Sequence, residues 1–335
     1  MKMNKFIVVG AGAWGTALAI QIASNTKEKI YIWAFEKETV DEINSCHKNS
    51  VFLPDVNLPS NLIATNEIND LEHFDYILNV IPTQFIRSSY KNLSFSFDNK
   101  IIINASKGIE QKTLKRISEI FQEVLGISEE NYAVLTGPSH AEEVSRNIPT
   151  TIVAASKNIK MAQKIQQNLS TNSLRIYSTN DVIGCELGGA LKNIIALTAG
   201  MLDGLQLGDN TKAALITRGL AEISRLGVAL GASPLTFAGL SGLGDLVVTC
   251  SSKHSRNRKV GELIGQGLTL ENIISSQKTV AEGVYTTAST YELANKIGVE
   301  MPITEQTYKA LFENIPAKTI VDNLMTRDFK HEIWS

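Results

Sequence analysis

The stretch FIVVGAGAWGTALAIQIA, from Phe6 to Ala23, decides the fold of this 335-residue chain. Phe6 to Val9 is a short apolar run of strand type, and the small and aliphatic residues from Ala13 onward read as a helix. Between them Gly10, Gly12 and Gly15 stand in G-x-G-x-x-G spacing. In a strand-turn-helix context the first glycine permits the tight turn, the second lets a pyrophosphate approach the backbone, and the third lets helix and strand pack closely. The helix start supplies free N–H donors to the same anion. The expectation is a dinucleotide loop formed by Gly10, Gly12, Ala13, Trp14 and Gly15. Lys2 and Lys5 ahead of this run imitate a signal peptide, but the glycine and tryptophan interruptions and the strand that follows favour a folded βαβ start.

Working outward, apolar β-branched runs recur as KIYIWA, YILNVI, KIIINAS, NYAVLT and TTIVAAS, the pattern of buried parallel strands. Helical periodicity lies between several of them, in TLKRISEIFQEVLG from Thr113 and IKMAQKIQQNLS from Ile159. This alternation predicts an α/β fold with an N-terminal doubly wound Rossmann-type domain. After about Tyr177 the strand signal fades and long helical patterns take over, including NTKAALITRGLAEISRLGVALG from Asn210. The expected division is a dinucleotide-binding domain over residues 1–183 and a mostly α-helical substrate domain over 184–335, with the boundary between Asp181 and Glu186.

Composition narrows the partners. With 32 basic and 34 acidic residues the net charge is −2, so no excess of sign advertises nucleic acid or an acidic membrane, and an anionic ligand needs a local cluster. Cys46, Cys185 and Cys250 are scattered, and the five histidines show no metal-ligand spacing, which points to a reducing, cytoplasmic setting with no metal. No other uninterrupted apolar run approaches the ~18 residues of a membrane span.

The second informative stretch is GCELGGALKNIIALTAGM, from Gly184 to Met201. It places Lys192 among glycines and aliphatics. A snorkelling lysine is the ordinary explanation. Gly188 and Gly189, however, leave room for another group, and a desolvated lysine titrates nearer neutrality, as a proton donor and acceptor must. Lys107 follows the strand IIIN, at the carboxyl end of the sheet where such folds bind ligands, and by pattern reads equally as a turn lysine before Gly108. In TGPSHAEE, Gly137 and Pro138 shape a turn, Ser139 offers a hydroxyl, and His140 reads as a surface helix start. In GLSGLGDLVVTC, Asp245 is a turn or cap residue by pattern. SSKHSRNRKVGELIG gathers Arg256, Arg258 and Lys259 beside Ser255 and Asn257 at a helix start. Cations there oppose the helix dipole unless an anion meets both, and from charge alone the cluster reads equally as an exposed basic turn. After the second strand, Glu36 suits the 2′-hydroxyl of NAD and Lys37 the 2′-phosphate of NADP, and either also reads as a solvated loop charge.

Taken together and in this order, GAGAWGTALA, NASKGIE, TGPSHAEE, LGGALKNIIA, TRGLAE, GLGDLVVTC, SRNR and EMPIT resemble the bacterial NAD(P)-dependent glycerol-3-phosphate dehydrogenases over essentially the whole chain. The resemblance implies interconversion of dihydroxyacetone phosphate and sn-glycerol 3-phosphate with NAD or NADP, supply of glycerol phosphate for phospholipid synthesis, and a homodimer. It implies Lys192 as proton donor and acceptor. Lys107, Gly137, Ser139, Asp245, Ser255, Arg256 and Asn257 fall at substrate positions, and Phe35, Lys107, Ala141, Arg256, Val280 and Glu282 at cofactor positions. Phe35 stands where many members carry arginine or histidine, which weakens the expectation of NADP preference. Two rivals share features of this pattern. Lysine-dependent 3-hydroxyacid or 6-phosphogluconate enzymes usually carry asparagine one turn after the lysine, where this chain has Ala196. A non-catalytic dinucleotide sensor has no use for Lys192, Lys107 and Arg256 together.

Overall fold

The computed structural model describes residues 5–276, 281–329 and 331–332. Eight strands form one sheet: β1 (Phe6–Val9), β2 (Ile30–Trp33), β3 (Leu62–Thr65), β4 (Tyr76–Asn79), β5 (Ile101–Asn104), β6 (Tyr132–Thr136), β7 (Thr150–Ala155) and β8 (Leu174–Thr179). Their order is β3-β2-β1-β4-β5-β6-β7-β8. The chain runs outward from β1 to β3 and then returns to β4 on the other flank of β1, so the loops after β1 and β4 diverge. That divergence opens the crevice in which such sheets bind ligands. Side chains alternate across the sheet: Phe6 and Val8 join the core on one face, Ile7 and Val9 the core on the other.

All six apolar runs are strands, and LIAT and LRIYST add β3 and β8. One expectation is corrected. β7 pairs antiparallel with β6 and parallel with β8, because the short segment Ser139–Pro149 turns the chain back beside β6 rather than crossing over the sheet. Buried strands are apolar on both faces in either orientation, so composition did not reveal the reversal.

On the sheet side the helices are α1 (Ala13–Ser24), α2 (Lys37–Cys46), α3 (Thr83–Tyr90), α4 (Ile117–Leu125), α5 (Ala141–Val144) and α6 (Ile159–Leu169). Thereafter the chain is helical: α7 (Val182–Gly204), α8 (Asp209–Ala229), α9 (Pro234–Ala238), α10 (Asp245–Ser251), α11 (Arg256–Gly265), α12 (Leu270–Ser276), α13 (Glu282–Ile297), α14 (Pro302–Phe312) and α15 (Ala317–Met325). α4 starts at Ile117 rather than Thr113, since Leu114 has φ 60° and lies outside helical space.

α7 is the axle of the helical part. Its composition and length would allow it to cross a membrane, yet 94% of its apolar window is buried inside the protein. Asp181 caps it, accepting from Gly184 N–H at 2.9 Å, and also accepts from Ser233 N–H and Thr236 Oγ1. α11 lies against α7 at glycines: a Cβ on Gly200, Gly204, Gly261 or Gly265 would collide with the facing backbone. Asn193 faces Asn257, Leu197 faces Gly261, and Met201 faces Gly265, so the two helices run in the same direction in matched steps.

Candidate active site

The glycine loop is built as its spacing requires. Gly10 has φ +120°, and a Cβ there would press on the Val80 backbone at 2.9 Å. Gly15 packs so closely on the Gly10 carbonyl that no side chain fits. Gly12, the residue before α1, has nothing within 4 Å of a Cβ position, and α1 begins with no side-chain cap and no acidic residue in its first turn. Open space beside uncapped N–H groups of Ala13, Trp14 and Gly15 fits a dinucleotide pyrophosphate. α5 is pinned beside α1 by Gln21 Nε2, which donates to the Val144 carbonyl at 2.7 Å and so brings Ala141 to the same side.

Phe35 follows β2, 80% exposed, with its ring edge-on to Trp33 at 6.4 Å. Glu36 precedes α2 and Lys37 opens it. Lys37 is therefore on a helix start, not in a loop. Val280 lies outside the described residues.

At the carboxyl ends of β4 and β5 a buried amide network fixes the next loop. Tyr90 OH donates to Asn79 Oδ1 at 3.1 Å, Asn79 Nδ2 to Asn104 Oδ1 at 2.9 Å and to Ser106 Oγ at 3.1 Å, and Ser106 Oγ to the Ile81 carbonyl at 2.6 Å. Lys107 leaves this platform and donates from Nζ to Asp245 Oδ2 at 2.8 Å. From the other side Lys192 Nζ donates to Asp245 Oδ1, and to Thr249 Oγ1 at 2.7 Å. Asp245 is 1% exposed and Lys192 6%. Two lysines from the sheet edge and α7 thus share one buried carboxylate on α10.

The glycines beside Lys192 admit protein rather than ligand. Gly188 makes way for the Ser241 carbonyl, and a Cβ at Gly189 would stand 2.8 Å from Thr136 Oγ1 and 3.5 Å from the Lys107 stem. They are the packing that lets the two lysines approach.

Burial lowers the pKa of Lys192 to about 7, and the Lys107 ammonium presses in the same direction; the Asp245 carboxylate pulls back. Burial alone would raise the Asp245 pKa, but Lys107 and Lys192 hold it below the usual range. Lys192 can therefore give or take a proton near neutral pH while Asp245 stays charged.

The basic cluster before α11 separates on folding. Arg258 Nε donates to Asp203 Oδ2 at 2.6 Å, with Lys212 on the other oxygen of Asp203, and Lys259 pairs with Glu262. Arg256 alone stays exposed without a side-chain hydrogen bond among the described residues. Ser255 caps α11, accepting from Arg258 N–H at 3.2 Å. Asn257 donates from Nδ2 to Asn193 Oδ1 at 3.0 Å and accepts from Gly283 N–H at 2.9 Å. Glu282, half-buried at the start of α13, accepts from Thr83 N–H at 3.0 Å. Burial raises its pKa, and Arg256 and Lys107 oppose that rise. In the β6–α5 loop Gly137 has φ +136°, and Ser139 Oγ donates to the Gly137 carbonyl at 2.9 Å.

Three residues at this site escaped the sequence reading. Thr249 stands one helical turn after Asp245, a spacing that DLVVT displays once Asp245 is known to be buried. Asn193 adjoins Lys192 but acquires meaning only through Asn257. His140, expected as a surface helix start, does precede α5 but is half-buried, with its ring against His254.

Residues 5–162 match the N-terminal part, and residues 181–322 the C-terminal part, of the NAD-dependent glycerol-3-phosphate dehydrogenases. The chain belongs to that family. It is 48% identical to glycerol-3-phosphate dehydrogenase [NAD(P)+] of Lysinibacillus sphaericus, over 99% of this chain and 98% of the relative. It is 49% identical to the enzyme of the same name from Geobacter sp. strain M21, over 98% and 99%. The crystal structure of glycerol-3-phosphate dehydrogenase from Coxiella burnetii superposes with a TM-score of 0.89 at 35% identity, covering 96% of this chain and 98% of that one.

Proposed function

We propose that this chain interconverts dihydroxyacetone phosphate and sn-glycerol 3-phosphate by hydride transfer with NAD(H) or NADP(H). The observation that carries the reading is Lys192, buried, held by Asp245 and Thr249, and poised to exchange a proton near pH 7. Family membership supports the same reaction.

Gly10, Gly12, Ala13, Trp14, Gly15, Phe35, Ala141, Val280 and Glu282 would hold the dinucleotide, with Lys107 and Arg256 reaching both ligands. When bound, the reduced nicotinamide supplies the hydride. Protonated Lys192 donates from Nζ to the ketone oxygen as charge develops there, and neutral Lys192 takes the proton back in the reverse direction. Asp245 fixes the position of Nζ and compensates its charge, while Lys107 adds positive potential on the sheet side. Arg256, without a side-chain hydrogen bond among the described residues, grips the phosphate with Asn257 and the start of α11. Gly137 and Ser139 line the substrate from the β6–α5 loop.

Residues 1–183 serve as the dinucleotide domain and 184–335 as the substrate domain. The setting is the cytoplasm, the assembly a homodimer, and the product a precursor of phospholipid. Loss of absorbance at the reduced nicotinamide band on adding dihydroxyacetone phosphate tests the reaction. No loss with either NADH or NADPH rules it out.

A further inference from the structure

Asn49 is fully buried in the segment between α2 and β3, and its side-chain amide reaches the glycine loop. Nδ2 donates to the Ala11 carbonyl at 2.8 Å and to Thr16 Oγ1 at 2.9 Å. Thr16 Oγ1, on α1, donates in turn to the same carbonyl at 3.2 Å. The carbonyl between the first two glycines of the loop is therefore held by two side chains from separate elements. Asn49 is itself fixed, since Leu53 N–H donates to its carbonyl at 2.9 Å and the next residue, Ser50, donates from N–H to Glu42 on α2 at 3.0 Å. Its Oδ1, by contrast, is buried without a hydrogen-bond partner among the described residues. An orphaned buried acceptor costs stability that an aliphatic side chain of similar size would not, so the value of this amide lies in its NH2 group.

What that group does follows from peptide planarity. Across a trans peptide the C=O of one residue and the N–H of the next point in opposite directions. With the Ala11 carbonyl drawn toward Asn49 and Thr16, the Gly12 N–H faces away from both. It donates to no protein acceptor among the described residues, and nothing lies within 4 Å of a Cβ position at Gly12. We propose that Asn49 is a positioning residue for the dinucleotide: by holding the Ala11–Gly12 peptide it presents the Gly12 N–H, beside the uncapped start of α1, to the pyrophosphate. The inference rests on the proposed function, which gives the Gly10–Gly15 loop to the dinucleotide. Without Asn49 the longer Thr16 bond holds the peptide alone. The donor then has to be ordered as the ligand arrives, which lowers affinity. Neither side-chain hydrogen bond of Asn49 reaches Lys107, Lys192 or Asp245, so the effect belongs to the cofactor and not to the ketone.

Calorimetric titration of the full chain with NADH, and separately with ADP-ribose, gives the dissociation constants that test this. Asn49→Leu fills the volume and removes the donor, and is expected to raise the Kd of NADH about fivefold or more, with ADP-ribose weakened in step because it carries the same pyrophosphate. The KM for dihydroxyacetone phosphate at saturating NADH should stay within about twofold of wild type. A merely structural role would lower the unfolding midpoint and leave Kd per folded molecule unchanged. Thr16→Val, which keeps the shape but removes one donor to Ala11 and the acceptor that steadies the other, should raise the Kd of NADH about threefold or more and serves if Asn49→Leu does not fold. A smaller rise in Kd than these, or a KM for dihydroxyacetone phosphate that rises as much as the Kd of NADH, overturns the proposal. Turnover by wild type is scored separately: a wild type that binds ADP-ribose but does not reduce dihydroxyacetone phosphate defeats the functional reading, while the comparison of Kd values still decides the role of Asn49.

Discussion

Two buried carboxylates tie the sheet to the helical domain, and they do opposite things. Glu186 on α7 accepts from Ser118 N–H at 2.8 Å and Tyr132 OH at 2.7 Å on one oxygen, and from Arg116 Nη1 at 2.8 Å and Ser118 Oγ at 2.7 Å on the other. Every one of those donors keeps its proton at working pH: the guanidinium is permanently charged, and the Tyr132 hydroxyl is pushed well above its ordinary value by burial. Asp245 also joins the two parts, but through two ammonium groups, one of which titrates near neutrality. A carboxylate saturated by permanent donors is a rivet. One that faces a labile proton is machinery.

The largest effect separating them is expected at Lys192. Lys192→Met should lower the rate of dihydroxyacetone phosphate reduction by about 10²–10⁴, the usual worth of a positioned general acid, while NADH binding measured by fluorescence stays close to wild type. A variant retaining a tenth of the rate would mean that the proton comes from elsewhere. Glu186→Gln should do the reverse. Impairing a buried charged contact costs about 3 kcal/mol in denaturant unfolding, whereas kcat per folded molecule should change by less than about threefold. If kcat collapsed while stability held, the division between rivet and machinery would be wrong.

The pH profile sharpens the contrast further. On the proposed role of Lys192 reduction needs its protonated form, so kcat/KM should fall about tenfold per pH unit above about 7, and kcat/KM for oxidation of glycerol phosphate should rise over the same range. Asp245→Asn removes the attraction that supports the ammonium, so its falling limb should begin at lower pH than in wild type. An unmoved limb would show that another group titrates there. The smallest expected effect lies far from either carboxylate. Phe35→Arg should shift the NADPH/NADH ratio of kcat/KM upward by about three- to tenfold, because an exposed arginine reaches a 2′-phosphate that phenylalanine cannot pair.

The unequal legibility of these parts has a physical cause. The glycine loop works through its backbone, and backbone geometry is set by residues adjacent in sequence, so GAGAWG disclosed both the turn and the open space at Gly12. Lys192 was conspicuous for being out of place on an apolar helix. Its partner was not, because Asp245 lies 53 residues away and looks like any residue after a glycine turn. Arg258 likewise gave no sign that Asp203, 55 residues earlier, would withdraw it from the basic cluster. Gly188 and Gly189 signal a need for space in the sequence, but what fills the space is decided by tertiary packing.

The matched glycine steps between α7 and α11 carry a consequence for substrate size. Lys192, midway along α7, and Arg256, the first residue of α11, stand one residue ahead of the facing pair Asn193 and Asn257, on two helices too tightly joined to slide past each other. The backbone separation of Lys192 and Arg256 is therefore fixed, a gauge set between the proposed proton donor and the proposed phosphate grip. On the proposed roles, a ketone whose phosphate is one carbon farther from its carbonyl is expected to react more slowly than dihydroxyacetone phosphate, because only the Arg256 side chain, and not the joined helices, can adjust to it.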